Sequence, residues 1–318
     1  MTLIIRLLAA AGLACTWAAA AHADDIAIAG IVFQQDQYFR GIQLGLEAGA
    51  KDTGVTVLQA NSESKLEKEA ELINTFITRG VKAIVIAPLS ADGSIPALKK
   101  ANDAGVKVVL YGSPLNADFP VSSVQTSQTL VGNGTGTVAA SFIKEKLGGK
   151  ANVGLLGFHS QLAEMSDART NGFLEEAKKG NELTILATQD GFIAEKALAI
   201  ASDMMTAHPE INVIYSANEG GTVGAVQAVR RAGLAGKVFV FGTDGSEQLG
   251  NFLLDEEGIL IATTAQQPFM SGKLAMQGAI ASVSGKPVEK DVYVPPLPLS
   301  RNDKAAVEAY IADVKSLK

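Results

Sequence analysis

Polar and aromatic residues recur immediately after short apolar runs of this sequence, and these are the residues that could do chemistry. The largest group follows the first apolar run and combines amides, an acid, aromatic rings and a cation: Gln35, Asp36, Tyr38, Phe39 and Arg40. Single residues of the same kinds follow later runs: Tyr111, Phe192, Asn218, Asp244 and Gln266. Carboxylates and amides pair with hydroxyl groups, a guanidinium donates from a planar fork, and aromatic rings cover C–H faces. The set therefore suits a polyhydroxylated neutral ligand.

Each of these residues, taken singly, also has a structural explanation. Asp244 before Gly245 fits a turn, and Asn218 fits a helix cap. Their recurrence at the ends of successive apolar runs favours one polar cleft with aromatic walls.

Sequence motifs for catalysis and for cofactor binding are absent. No phosphate-binding G-x-x-x-x-G-K-[ST] loop and no G-x-S-x-G nucleophile elbow occurs. The run Gly132-Asn-Gly134-Thr-Gly136 lacks the G-x-G-x-x-G spacing, and we interpret it as a flexible helix start. After residue 23 the sequence has only two histidines, His159 and His208, and no cysteine, so a zinc site is not expected. We expect no enzyme activity, no cofactor and no metal, although counting carboxylates leaves paired acids for glycosidic chemistry open.

Length and charge narrow the class of protein. The chain has 318 residues, which suits two domains of about 150 residues. It carries 27 Lys and Arg against 33 Asp and Glu, and this net charge of −6 argues against a nucleic-acid partner.

Residues 1–23 have the pattern of a secretory signal peptide. Arg6 supplies the positive charge, Leu7 to Ala21 are almost wholly apolar, and Ala21-His22-Ala23 is an A-x-A cleavage site. The apolar run is too short for a retained membrane anchor, and Gly12 disfavours a lipoprotein cut at Cys15. We expect export to the periplasm, with cleavage after Ala23.

Strand-like and helical patterns then alternate, which predicts an α/β fold. A first series of apolar runs is strand-like: Ile26–Val32, Val55–Gln59, Ala83–Ala87 and Val106–Tyr111. A second series follows: Asn152–Leu156, Leu183–Thr188, Val213–Ser216, Val238–Phe241 and Leu260–Ala265. Helical patterns separate the runs, so two doubly wound parallel-sheet lobes are expected. Ligands of such sheets bind outside the carboxyl ends of the strands.

The last part of the chain departs from this alternation. A helical pattern over Phe269–Ser284 precedes Val292–Leu299, a strand-like run with three prolines. Proline cannot donate to a sheet ladder, so this strand is expected at a sheet edge or as a crossing between lobes. A final amphipathic helix is predicted from Asp303 to Leu317.

Four segments carry a resemblance to a known family: Gly80–Pro88, Thr206–Glu219, Val240–Gly245 and Ala262–Pro268. With them, nearly all of residues 25–299 resembles the periplasmic sugar-binding proteins of the ribose-binding type, which serve ABC importers. The resemblance implies a three-segment hinge with crossings near Gln125, Gln267 and Tyr293 and a ligand in the interlobe cleft. It divides the chain into an N-terminal lobe, 24–125 plus 268–293, and a C-terminal lobe, 126–267 plus 294–318.

The resemblance also suggests roles for individual residues. Arg169 matches the hydroxyl-clamping arginine of the family. Phe192 matches a stacking ring, Asn218 and Gln266 match amides, and Asp244 matches a carboxylate. Tyr38 and Phe39 resemble the paired aromatics near the first strand. A one-residue insertion leaves open whether Gln35 or Asp36 stands for the asparagine found there.

One departure bears on the ligand. Ribose binders typically have Asp-Arg after the fourth strand, where this chain has Tyr111-Gly112. Asp36 and Arg40 could supply charge from another direction. We therefore expect a small polyol, a tetrose-like sugar or another pentose.

The sequence thus predicts a monomeric periplasmic receptor that closes on its ligand and delivers it to a membrane permease. Two alternatives stay open: a secreted sugar-processing enzyme, and a receptor for chemotaxis or signalling. A repressor sensor domain shares the fold, but it would need a DNA-binding helix-turn-helix where the signal peptide stands.

Overall fold

The protein consists of two α/β lobes in the computed structural model, which describes residues 26–316. The predicted signal peptide lies outside the described residues. The first series of elements is β1 (Ala27–Val32), α1 (Gln37–Ala50), β2 (Thr56–Asn61), α2 (Leu66–Thr78), β3 (Ala83–Ile86), α3 (Ile95–Asp103), β4 (Lys107–Tyr111) and β5 (Ser122–Gln125). Its strands form one parallel sheet, in which β3 is buried along its whole length. Near-continuous apolar strands are typical of sheets covered by helices on both faces.

The second series builds the other lobe. It comprises α4 (Gln128–Lys146), β6 (Lys150–Gly157), α5 (His159–Ala177), β7 (Glu182–Asp190), α6 (Ala194–Ala207), β8 (Val213–Ser216), α7 (Glu219–Arg231), β9 (Phe239–Phe241), α8 (Glu247–Leu254) and β10 (Leu260–Ala265). The remaining elements are α9 (Pro268–Val283), β11 (Asp291–Tyr293), β12 (Leu297–Ser300) and α10 (Lys304–Ser316). The predicted class of two doubly wound parallel-sheet lobes is confirmed.

The two sheets have matching strand orders. The first is β11-β5-β4-β3-β1-β2 and the second is β12-β10-β9-β8-β6-β7. All pairings are parallel except that of β12 with β10, which is antiparallel. Consequently β8, β9 and β10 in the second lobe occupy the places of β3, β4 and β5 in the first.

The chain passes between the sheets three times. It leaves the first sheet after β5, returns between β10 and α9, and crosses again between β11 and β12. Helix α9 returns to the first lobe, where a Cβ on Gly45 of α1 would lie only 2.1 Å from the Phe269 carbonyl oxygen. The boundaries expected at Gln125, Gln267 and Tyr293 stay predictions.

The proline-rich segment differs from its prediction. The single strand expected over Val292–Leu299 is two short strands, β11 at the edge of the first sheet and β12 at the edge of the second. Pro295 and Pro296 lie between them, and Pro298 sits on β12 opposite Thr264. The edge position and the crossing, expected as alternatives, therefore both occur. Proline has no backbone N–H to donate. It is tolerated at a sheet edge because no further strand there requires that hydrogen bond.

Within residues 26–316, no helix combines the length and the apolar character that a membrane span requires.

Candidate ligand-binding cleft

A cavity of about 1130 Å³ lies between the two lobes, at the carboxyl ends of the strands. All the predicted site residues except Gln35 and Arg40 line it: Asp36, Tyr38, Phe39, Tyr111, Arg169, Phe192, Asn218, Asp244 and Gln266. Residues that are far apart in sequence thus meet in one site.

Gln35 and Arg40 are exposed and lie outside the cavity lining, unlike the sequence expectation. Asp36 is the N-cap of α1, where its Oδ1 accepts a hydrogen bond from the Phe39 amide at 2.9 Å. The helix therefore begins directly after Asp36. Arg40 lies on the solvent side of α1, because Phe39 and Ile42 occupy the buried side.

An ion pair between Arg169 and Asp244 forms the centre of the second-lobe wall. Arg169 Nη1 donates to Asp244 Oδ2 at 3.2 Å and to the Ala217 carbonyl at 2.9 Å. The Arg169 side chain is only 4% exposed. Among the described residues, its Nη2 has no hydrogen-bond partner, so this donor is available to a ligand. Asp244 has φ of 69°, a left-handed conformation uncommon outside glycine, and such strain is often found at functional sites.

Amide side chains extend this cluster. Gln266 Nε2 donates to Asp244 Oδ1 at 3.1 Å, and Gln128 Oε1 accepts from Arg169 Nε at 2.8 Å. Asn218 caps α7 by accepting from the Gly221 amide at 3.2 Å, while its Nδ2 donates to the Phe192 carbonyl at 2.7 Å. Asn218 therefore is a helix cap and lines the cavity as well.

Close packing of α4 against α5 positions Arg169. A Cβ on Gly132 would lie 2.0 Å from the Arg169 carbonyl oxygen, and one on Gly136 would lie 2.5 Å from the Phe173 carbonyl oxygen. The glycine-rich run interpreted as a flexible helix start is instead inside α4, where the absence of side chains lets the two helices touch. That interpretation was wrong because it considered conformational freedom and not interhelical space.

Aromatic rings stand on both sides of the cavity. In the second lobe the ring centroids of Phe158 and Phe192 are 5.7 Å apart, and the Arg169 guanidinium carbon lies 5.7 Å from the Phe158 centroid. In the first lobe Tyr38 and Phe39 meet edge to face at 5.2 Å. Such rings can cover the C–H faces of a sugar.

Burial raises the pKa of several groups that line the cavity, among them Tyr38 and Glu219. It raises the pKa of Tyr38 to about 12, and the negative charge of Asp244 adds to this shift. The Tyr38 hydroxyl is therefore neutral and can donate a hydrogen bond. Burial likewise raises the pKa of Glu219, opposed by a hydrogen bond with Ser246 and supported by the charge of Asp244.

The sequence analysis did not select Gln128, Phe158, Glu219 and Tyr310, which also line the cavity. Phe158 and Glu219 belong to the polar and aromatic residues at strand ends, but they were not chosen as ligand-binding residues. Gln128 follows the first crossing and Tyr310 lies on the terminal helix, and neither place carries a motif. The described residues contain no group of three or more His, Cys, Asp or Glu that could hold a metal ion.

Comparison with known proteins gives the class. Residues 26–287 match the family described as periplasmic binding protein domain. The D-allose-binding periplasmic protein of Escherichia coli K12 is 31% identical over 255 residues, which is 78% of this chain and 81% of that protein. The ribose import binding protein RbsB of Bacillus subtilis is 29% identical over 259 residues, 81% of each chain.

A solved structure supports the same assignment. An ABC transporter periplasmic solute binding protein from Actinobacillus succinogenes, with bound D-allose, superposes with a TM-score of 0.76 at 26% identity. The match covers 88% of this chain and 99% of that one. The chain therefore belongs to the periplasmic binding protein family. It is of the ribose-binding type, as the resemblance predicted.

Proposed function

We propose that the protein captures a small sugar or polyol in the interlobe cleft and delivers it to the membrane permease of an ABC transporter. The observation that carries this proposal is the Arg169–Asp244–Gln266 cluster inside a cavity that both lobes line. The cluster offers donors and acceptors already held in place by one another. Such preorganisation favours binding because less side-chain freedom is lost when the ligand arrives.

Lobe closure follows from the same geometry. A ligand that touches Arg169 and Asp244 on one wall and Tyr38 and Phe39 on the other binds the closed form better than the open form. That difference in affinity shifts the population towards closure. Micromolar affinity requires about −8 kcal/mol, which a few charge-assisted hydrogen bonds and stacked rings can supply.

The mature protein is proposed to act as a periplasmic monomer, released from its signal peptide after Ala23. Each lobe has its own buried clusters of apolar residues, so neither needs a second chain to complete its core. We propose that it is not an enzyme. The alternatives of a secreted sugar-processing enzyme and of a signalling receptor differ in what happens to the ligand after binding.

A thermal-shift screen of pentoses, hexoses, tetritols and other polyols tests the proposal. A ligand that binds only the folded protein raises the melting temperature by mass action. Asp244→Asn should abolish the shift produced by any sugar that binds the wild type. Asp255→Asn is a matched control, because Asp255 pairs with Arg230 at 2.8 Å and its side chain is 23% exposed, like that of Asp244.

The control variant should keep the wild-type shift. Absence of any stabilising sugar, or full affinity in Asp244→Asn, would contradict the proposal. The NMR spectrum of each bound sugar should be unchanged after long incubation with the protein. Chemical conversion of the sugar would instead favour the alternative of a secreted sugar-processing enzyme.

A further inference from the structure

Tyr310 is a cavity-lining residue that belongs to the C-terminal helix α10. It lies beyond residue 287, where the match to the family ends, and beyond the segments that carry the resemblance. The family therefore suggests a role for Arg169 and for Asp244 but none for this residue. The place of Tyr310 at the cavity depends on how α10 packs against the rest of the second lobe.

Packing of α10 against α8 fixes the position of Tyr310. The buried residues of α10 are Val307, Ile311 and Val314, which are spaced by four and three residues along one face of the helix. A Cβ built on Gly250 of α8 would lie 2.6 Å from Ile311 Cγ1, so the absence of a side chain there lets the two helices approach closely. Tyr310 directly precedes Ile311, so the same packing holds its backbone in place beside the cavity.

The Tyr310 hydroxyl lies against the segment between β9 and α8 that carries Asp244. A Cβ built on Gly245 would be 2.3 Å from the hydroxyl oxygen and 2.8 Å from Cζ, so the contact requires a glycine there. The Asp244 amide donates to the Thr264 carbonyl at 2.9 Å, and the Asp244 carbonyl accepts from Thr263 Oγ1 at 2.6 Å. The Tyr310 hydroxyl and Asp244 therefore belong to one fixed part of the second-lobe wall.

This hydroxyl is available to a ligand, because it has no hydrogen-bond partner among the described residues. Within residues 26–316, the completely enclosed side-chain atoms that lack a partner are Ser62 Oγ, Glu69 Oε1 and Asn181 Oδ1. The Tyr310 oxygen is not one of them, so it keeps solvent access. Burial raises the pKa of Tyr310, and the negative charges of Glu219 and Asp244 add to this shift. The group is therefore a neutral hydroxyl that can both donate and accept a hydrogen bond.

We propose that Tyr310 is a ligand-binding residue, whose hydroxyl forms a hydrogen bond with a hydroxyl group of the sugar or polyol at the Asp244 end of the cleft. The ligand then contacts the C-terminal helix as well as the strand ends, so α10 is part of the binding site. This inference rests on the proposed function, because it concerns the same cleft. A ligand hydroxyl that loses water at this wall gains a partner in Tyr310, which a phenylalanine ring could not offer.

The substitution Tyr310→Phe tests this role, because it removes the hydroxyl and keeps the ring that packs beside Gly245. Isothermal titration calorimetry first identifies the tightest-binding member of a panel of D-ribose, D-allose, D-arabinose, L-arabinose and erythritol. The variant, shown to be folded by its melting curve, should bind that compound about three- to tenfold more weakly than the wild type, which is the value of one hydrogen bond.

A hydroxyl outside the cavity provides the control. Thr206 lies on α6 of the same lobe, where its Oγ1 donates to the Ser202 carbonyl at 2.8 Å, and it does not line the cavity. Thr206→Val removes this hydroxyl with little change of shape, and the affinity should change less than about twofold.

Monodeoxy analogues of the same compound separate direct contact from a structural role. The analogue that lacks the hydroxyl facing Tyr310 should bind the wild type and Tyr310→Phe with affinities within about twofold of each other, because neither complex can form the bond. The other analogues should keep the three- to tenfold difference. A residue that acted only through packing would weaken the binding of all the analogues by the same factor.

The outcomes distinguish failure of this inference from failure of the proposed function. If no compound of the panel or of the wider thermal-shift screen binds the wild type, the proposed function fails and this inference fails with it. If the wild type binds a compound and Tyr310→Phe binds it equally tightly, only the assignment of Tyr310 is overturned. An equal loss for every monodeoxy analogue would also overturn that assignment while leaving the proposed function intact.

Discussion

The two lobes share one strand order, yet their cleft walls have different chemistry. In the second lobe, Arg169 and Asp244 pair at 3.2 Å and recruit Gln266 and Gln128 around them. In the first lobe, the Tyr111 hydroxyl is turned into the sheet towards Ile31. The difference shows that the doubly wound fold determines where ligand-facing side chains stand, whereas the residue types at those places determine which face of a ligand each lobe binds.

The largest effect on affinity is expected from a substitution in the second-lobe wall of the cleft. Arg169→Gln removes a buried cation that no neighbouring group can replace, so affinity for any bound sugar should fall more than about 100-fold. Isothermal titration calorimetry on protein shown to be folded measures this loss. Arg230→Gln disrupts a more exposed Arg–Asp pair of the same lobe, away from the cavity, and should change affinity less than about twofold.

A polar side chain on the first-lobe wall is expected to contribute less to sugar affinity than Arg169 does. Ser113→Ala removes one partly exposed hydroxyl and should weaken binding by no more than about fivefold, the value of one ordinary hydrogen bond. If Ser113→Ala weakened binding as much as Arg169→Gln does, the two walls would not differ as described.

A smaller effect is expected from a substitution that disturbs the packing of α4 against α5, the helix that carries Arg169. Gly132→Ala introduces a Cβ that would lie 2.0 Å from the Arg169 carbonyl, so α4 and α5 must separate. We expect a loss of about 1–3 kcal/mol in the free energy of unfolding, together with weaker sugar binding as Arg169 is displaced. Denaturant unfolding and calorimetry measure the two effects.

A helix glycine in the first lobe provides the control. A Cβ on Gly278 in α9 would have its nearest neighbour at 3.6 Å, an ordinary contact. Gly278→Ala should therefore raise the free energy of unfolding by about 0.5–1 kcal/mol through reduced backbone entropy. Equal effects of the two substitutions would refute the packing explanation.

The smallest expected effect is a pH dependence. Burial raises the pKa of Glu219 in the folded protein, so the folded state holds its proton at pH values where the unfolded chain has released it. The preference of the folded state for protonated Glu219 contributes to stability. This contribution is fully present below the pKa of the unfolded chain and is lost as the pH rises through the pKa of the folded protein. Glutamine does not titrate, so Glu219→Gln removes this pH-dependent loss of stability. The melting temperature of the variant minus that of the wild type should therefore increase from pH 4 to pH 7.

An exposed glutamate on the same lobe gives the baseline for this measurement. Glu195→Gln, in the first turn of α6, should show a smaller change of relative melting temperature with pH. A Glu219→Gln protein with the same pH profile as Glu195→Gln would show that burial of this carboxyl has no effect on stability.

Periodicity predicted most of the elements because each buries an apolar run or face. The bounds of β8 and β10 agree with those expected from the sequence. The strand β5 was missed because its sequence, Ser122-Ser-Val-Gln125, is short and polar. It is held by pairing with β4 and β11, and such long-range pairing leaves no local sequence pattern.

The site was predictable where it coincides with strand ends. Asn218, Asp244 and Gln266 directly follow or lie near such ends, so the α/β rule locates them. Arg169 lies on α5 and required the family resemblance, because its position depends on how α5 packs against α4. Gln35 and Arg40 lie outside the cavity lining because the N-cap at Asp36 sets the orientation of α1, and residue types alone did not locate that N-cap.

The Pro295–Pro296 crossing also has a consequence for the order in which the chain folds. Because β11 belongs to the first sheet and β12 borders the second, the first sheet is complete only after Tyr293 has been synthesised and the second only after Ser300. The strand β11 pairs with β5, more than 160 residues upstream by the separation of Ser122 from the Glu289 carbonyl that it binds. Contacts so distant in sequence form slowly, since a long loop has to close first. The edge strands β11 and β12 would therefore be the last strands of their sheets to pair in a newly synthesised chain.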